Sequence, residues 1–120
     1  MENYKLTHSE IAEAAAETAS DIAMEFGIRN HGAKNILGRL VYAYPIPRGG
    51  VAPAYRICAF LPSLRLVDSP ANADCFIDDL IDTGKMKLAY AEKFPGKPFF
   101  TLFNRGDFGG AWLVFPWEEK

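Results

Sequence analysis

Ile11, Ala15, Thr18, Ile22 and Phe26 recur at three- and four-residue intervals, which predicts an amphipathic helix near the start of the chain. Thr7-His8-Ser9-Glu10 has capping-box spacing at its front, and Gly27 is placed to end it. A polar connector, IRNHGAKN, follows. RLVYAY (39–44) is β-branched and aromatic, and reads as a strand closed by Pro45 and Pro47, because proline cannot donate to a central ladder. RGGVAPAYRICAFLP reads as a glycine turn opening a helix over 51–61, with Pro53 in its first turn. LRLVDS (64–69) and ADCFID (73–78) are two further strands. A short helix over 85–94 would place Met86, Tyr90 and Phe94 on one face, with Pro95-Gly96 stopping it. KPFFTLF (97–103) is a fourth strand, and GGAWLVFPWEEK closes the chain as glycine and then a compact aromatic run.

Strands alternating with helices predict an α/β fold, with a right-handed, mostly parallel sheet flanked by helices. The 120 residues suit one compact domain over 1–120, with no internal repeat or linker. In such sheets ligands bind beyond the carboxyl ends of the strands, which directs attention to the loops at 47–50 and 79–86. Net charge narrows the partners. At −2 it makes no electrostatic case for nucleic-acid binding. No apolar run approaches membrane-spanning length, and MENYKLTHSE lacks the basic-then-apolar layout of a signal peptide. Cys58 and Cys75 each lie in an apolar segment, which suits buried free thiols in a reduced, cytoplasmic setting.

The chemistry concentrates in CFIDDLIDTGKMK, where an apolar run meets Asp78 and Asp79, and then Asp82, Thr83 and Gly84. Adjacent carboxylates repel, so they belong either in water or around something positive. A turn of Asp82-Thr83-Gly84 before a helix offers a hydroxyl and backbone amides to an anion. Asp78 and Asp79 beside it could accept bonds from ribose hydroxyls or hold the waters of a Mg²⁺ ion. Together these groups fit a sugar phosphate with a metal. Each also has a plainer reading: solvated acids, a simple R-G-G turn, and tryptophans serving a core or an interface. His8 and His31 have no partner at ligand spacing and carry no role.

With these residues in view, the chain resembles the type I phosphoribosyltransferases, and within them the xanthine-guanine (6-oxopurine) branch. CFIDDLIDTGKM is similar to that family's signature for 5-phosphoribosyl-1-pyrophosphate (PRPP), and PIPRGG to its pyrophosphate loop. FFTLFNR and WLVFPWE follow in the family's order. The resemblance implies that Asp78 and Asp79 face the ribose hydroxyls, directly or through Mg²⁺. It implies that Asp82, Thr83, Gly84, Lys85 and Met86 form the 5′-phosphate loop, with Asp82 also placed to handle the purine N7 proton. Asp79 and Asp82 are the implied catalytic pair. Arg48 and Gly49 would line the pyrophosphate site. Arg105 stands where the family has a lysine that meets the purine 6-oxo group. Trp112 would stack on the base, and the Leu113 backbone would meet its 2-substituent.

The implied activity is transfer of the phosphoribosyl group from PRPP to guanine, xanthine or hypoxanthine. A non-catalytic PRPP- or nucleotide-binding sensor on the same fold is the alternative. The apolar tail suits a homodimer contact. Three departures bear on this. The signature ends Gly84-Lys85-Met86 where the family carries a second glycine and a hydroxyl, so lysine would cost about 1 kcal/mol if position 85 needed a positive φ. The long loop that closes over the reacting centre is absent between the second strand and the signature strand. The base-binding hood between Arg105 and Trp112 is short.

Overall fold

The computed structural model describes residues 3–28 and 40–118. Its elements run β1 (Asn3–Lys5), α1 (His8–Glu25), β2 (Val41–Pro45), α2 (Val51–Cys58), β3 (Leu64–Leu66), β4 (Cys75–Ile81), α3 (Lys85–Lys93), β5 (Phe99–Asn104) and β6 (Trp112–Val114). Short 3₁₀ turns occupy Pro70–Asn72, Arg105–Phe108 and Pro116–Glu118. Four strands form one parallel sheet in the order β3-β2-β4-β5, and β1 pairs in parallel with β6 as a separate ribbon. The α/β fold with a parallel sheet and flanking helices is therefore present. Of the polar connector only Ile28 is described, and His31 lies outside the described residues. No helix among the described residues is long and apolar enough to cross a membrane.

The capping box at Thr7 forms in full: the Glu10 amide donates to Thr7 Oγ1 at 3.1 Å, and the Thr7 amide to Glu10 Oε1 at 2.9 Å. Ile11, Ala14, Ala15, Thr18, Ala19, Ile22 and Ala23 make the buried face of α1, and the small alanines among them let the helix lie close to the sheet. The apolar residues of this face join Val41, Ala43, Ala54, Ile57, Cys75, Ile77 and Leu102 in the main core. The opposite sheet face carries a smaller aromatic cluster, with Phe76, Ile46 and Ala73 at its centre and Tyr44, Tyr90, Phe94 and Phe99 around it. Because β4 is covered on both faces, its first three residues are all buried, as central parallel strands require. Both cysteines are free thiols; burial pushes Cys75 up to about 12.

Several boundaries differ from the pattern reading. β4 runs to Ile81 rather than ending at 78, since its ladder with β5 continues through Leu80↔Phe103 and Ile81↔Asn104. α2 ends at Cys58 instead of 61. β1 has too few residues for an alternation to show, and exists because Asn3, Tyr4 and Lys5 find partners in β6. In α3, Tyr90 and Phe94 pack on Phe76 with ring centroids at 4.8 and 5.5 Å, whereas Met86 is 48% exposed. The helix docks through its second half and leaves its first turn beyond the strand ends.

β2 and β4 are clamped where the chain leaves the sheet. The Ile46 amide donates to the Ile77 carbonyl at 2.8 Å, and the Gly50 amide turns back to the Ile46 carbonyl at 2.8 Å. A Cβ on Gly50 would collide with the Ile77 carbonyl oxygen and lie 2.8 Å from the Ile46 nitrogen. Gly50→Ala should therefore lower stability by about 1–3 kcal/mol, read as a reduced urea midpoint. An unchanged midpoint would mean that the turn relaxes freely.

Candidate functional site

Asp78 and Asp79 lie within β4, three and two residues before its end, so the ladder and not a loop holds them. The Asp79 amide donates to Asp78 Oδ1 at 2.8 Å, and the Leu80 amide donates to Asp79 Oδ1 at 2.8 Å. Burial is the main cause that pushes the Asp78 carboxyl up to about 7; the Asp79 side chain and its charge push the same way, against the Asp79 amide bond. Burial and the neighbouring acid thus both favour the protonated form of Asp78 over the charged one. Among the described residues no cluster of three or more histidine, cysteine or acidic side chains could hold a metal. Two carboxylates nevertheless suit Mg²⁺, which is commonly held by one or two protein oxygens with waters and substrate phosphates completing its shell.

The turn at 47–50 presses on the same strand. A Cβ at Gly49 would lie 2.7 Å from Asp79 Oδ2, so a side chain here would push the Asp79 carboxylate from its present position. Arg48 sits exposed at the corner of that turn, and the Pro47–Arg48 peptide bond is cis. Both loops expected from the strand ends therefore converge on one place. Gly50 belongs with Gly49 as a steric requirement of this approach; the doubled glycine was its only sign in the sequence.

Past β4, Gly84 adopts φ +83° and caps α3, while the Lys85 amide donates to Thr83 Oγ1 at 3.3 Å. The left-handed position is 84, and Lys85 is the first helical residue, so lysine there carries no backbone penalty. The first turn of α3 holds Lys85 and Lys87 and no acid. Cations at a helix N-terminus oppose the helix dipole, so the positive potential above this loop is concentrated. Asp82, Thr83, Gly84, Lys85, Met86 and Lys87 line a cavity of about 100 Å³ floored by Leu80, Ile81 and Phe99. A larger cleft of about 640 Å³ includes Pro47, between Tyr44, Tyr55 and Leu66; among the described residues Asp68 is its one carboxylate and no cation lines it.

Arg105 is more enclosed than its polar setting suggests, with its side chain 15% exposed. Its Cζ lies over the Trp112 ring, 4.6 Å from the centroid, and Nη1 meets Asp82 Oδ2 at 3.3 Å. Its Nε is buried with no hydrogen-bond partner among the described residues, an arrangement that costs about 1–3 kcal/mol. The chain makes this contact by reversing on itself. Asn104 accepts from the Gly106 amide at 3.0 Å, and Gly109 and Gly110 take φ of +63° and +80° to bring β6 back. Trp112 remains 49% exposed and Leu113 is buried beside it. Trp117 stacks on Phe115 at 4.9 Å with Arg56 over its ring, a packing role. Asp82, Arg105 and Trp112 are thus one contact group, which no local spacing revealed.

The raised Asp78 carboxyl has a measurable consequence. Its folded value lies above the unfolded one, so the native state holds the proton more tightly and loses stability from this group as pH rises through about 7. Asp78→Asn should raise the melting temperature at pH 8, and by less at pH 5. A pH-independent difference would show that burial of the charge is not the cause.

No family model matches the chain, and no curated protein is significantly similar to it in sequence. Solved structures do resemble it. A purine phosphoribosyltransferase from Pyrococcus horikoshii OT3 covers 100% of this chain and 96% of its own, with a TM-score of 0.61 and 20% identity. The xanthine-guanine-hypoxanthine phosphoribosyltransferase of Helicobacter pylori covers 97% of this chain and 93% of its own, with a TM-score of 0.58 and 14% identity. Over essentially its whole length, the chain has the fold of these purine phosphoribosyltransferases.

Proposed function

We propose that the protein is a compact purine phosphoribosyltransferase, using PRPP and a 6-oxopurine: guanine, xanthine or hypoxanthine. The observation that carries this reading is the contact of the Gly49 turn with Asp79, on the strand that runs directly into the Gly84 loop. A pyrophosphate-binding turn, ribose-facing acids and a 5′-phosphate loop would then lie in the order in which one ligand presents those groups. Lys85 and Lys87 add positive charge where the 5′-phosphate would sit, and Arg48 does so at the pyrophosphate end.

In this reading Asp78 and Asp79 hold the ribose hydroxyls and the Mg²⁺ ion. Mg²⁺ supplies charge neutralisation for the departing pyrophosphate when bound. The base forms a bond to ribose C1 as the C1–oxygen bond to pyrophosphate breaks, and the purine N7 proton passes to Asp82. Trp112 stacks on the base and Leu113 backbone groups meet its 2-substituent. The protein's contribution is positioning and charge stabilisation, without a covalent intermediate.

A second reading is supported by the connection between β3 and β4. Residues 67–74 cross from one strand to the other with a single 3₁₀ turn, leaving no long segment there to close over C1. Without closure, water reaches the developing cation. A PRPP- or nucleotide-holding sensor would need no such cover.

The deciding experiment incubates the protein with Mg²⁺, PRPP and each of the three bases, with nucleotides resolved by chromatography. The expected result is a base-dependent monophosphate peak that falls by about 10²–10⁴ in Asp82→Ala and is abolished when Asp79→Ala is added. Full turnover in that double variant would overturn the assignment. Tight nucleotide binding without product would select the sensor.

A further inference from the structure

Arg105 is committed on two sides before any ligand arrives. Its Cζ lies over the Trp112 ring, 4.6 Å from the centroid, and Nη1 is paired with Asp82 at 3.3 Å. Its Nε is sealed from solvent, so a ligand does not reach that donor. The two partners come from different parts of the chain: Asp82 from the loop after β4, and Trp112 from β6 after the Gly109-Gly110 reversal. Asp82 itself is 53% exposed and Trp112 is 49% exposed. Neither is held in place by burial.

We infer that Arg105 is a positioning residue that fixes the Asp82 carboxylate and the Trp112 ring relative to one another, so that one planar ligand meets both. The guanidinium is suited to this because it is flat. It offers a stacking face to the indole and an edge of N–H donors to the carboxylate, two contacts that a lysine ammonium cannot make together. Trp112 then keeps one open face for a base while the other is backed by a cation. Asp82 keeps Oδ1 for the ligand while Oδ2 is engaged. This assignment rests on the phosphoribosyltransferase reading for its ligand, but the tether between the three residues does not.

Two measurements separate those layers. The first needs no ligand: acrylamide quenching of Trp112 fluorescence in a Trp117→Phe protein, where phenylalanine keeps a ring on Phe115. Arg105→Ala should increase quenching, and so should Asp82→Asn, which touches Trp112 only through Arg105. Unchanged quenching in Asp82→Asn would overturn the tether. The second is a double-mutant cycle on nucleotide formation. Arg105→Ala should lower kcat by about 10–100-fold with a smaller change in KM for the base, and guanidinium ion added to the medium should restore part of it. On an Asp82→Asn background the same change should cost less than about 3-fold, because the residue through which it acts is already altered. Equal cost on both backgrounds would make Arg105 a direct ligand contact and overturn the positioning role. Absence of nucleotide formation or binding in the wild type would sink the functional reading while the quenching result still judged the tether.

Discussion

The site depends on the close approach of the turn at 47–50 to the carboxyl-terminal half of β4. Two backbone bonds set it, Ile46 to Ile77 and Gly50 to Ile46, each at 2.8 Å. A side chain at Gly50 would enter the strand, and one at Gly49 would enter the Asp79 carboxylate. Neither glycine serves flexibility here: Gly50 lets one backbone lie against its neighbour, and Gly49 leaves room for the Asp79 carboxylate. The parallel pairing of β2 and β4 puts Arg48 and the acid pair at one sheet edge, and this contact brings them together there.

Around this contact the charges are arranged in two halves. Asp78 and Asp79 sit in the strand, where partial burial pushes the Asp78 carboxyl up. Lys85 and Lys87 sit at the start of α3, on the end of the helix that is already positive. Separation of this kind suits a ligand with hydroxyls or a cation at one end and a phosphate at the other. The third acid, Asp82, falls between them and is engaged by Arg105. The loop therefore does not present three repelling carboxylates, although its composition suggests so.

The aromatic content is likewise divided by location. Phe76, Tyr90, Phe94 and Phe99 seal the second sheet face and anchor the rear half of α3. Phe103, Phe108 and Phe115 support the turn that returns β6 to Arg105. Trp112 lies under Arg105, which in turn pairs with Asp82 in the loop after β4, whereas Trp117 packs on Phe115 and Arg56.

Much of this was legible in the order of residues. The capping box and the α1 face depend on contacts three and four residues apart, and the sequence determines them because both partners are local. The strand order of apolar runs, the acids at 78 and 79 and the turn at Gly84 are local in the same sense, and they led to both loops. Element ends were less legible: β4 outlasts its apolar run because β5 supplies a ladder partner, and β1 exists only through β6. The raised Asp78 carboxyl, the need for Gly50 and the joining of Asp82, Arg105 and Trp112 were not legible at all. Each depends on desolvation or on a distance between segments far apart in the chain. Tertiary structure alone decides these, because burial and long-range proximity belong to the packed chain and not to any window of it.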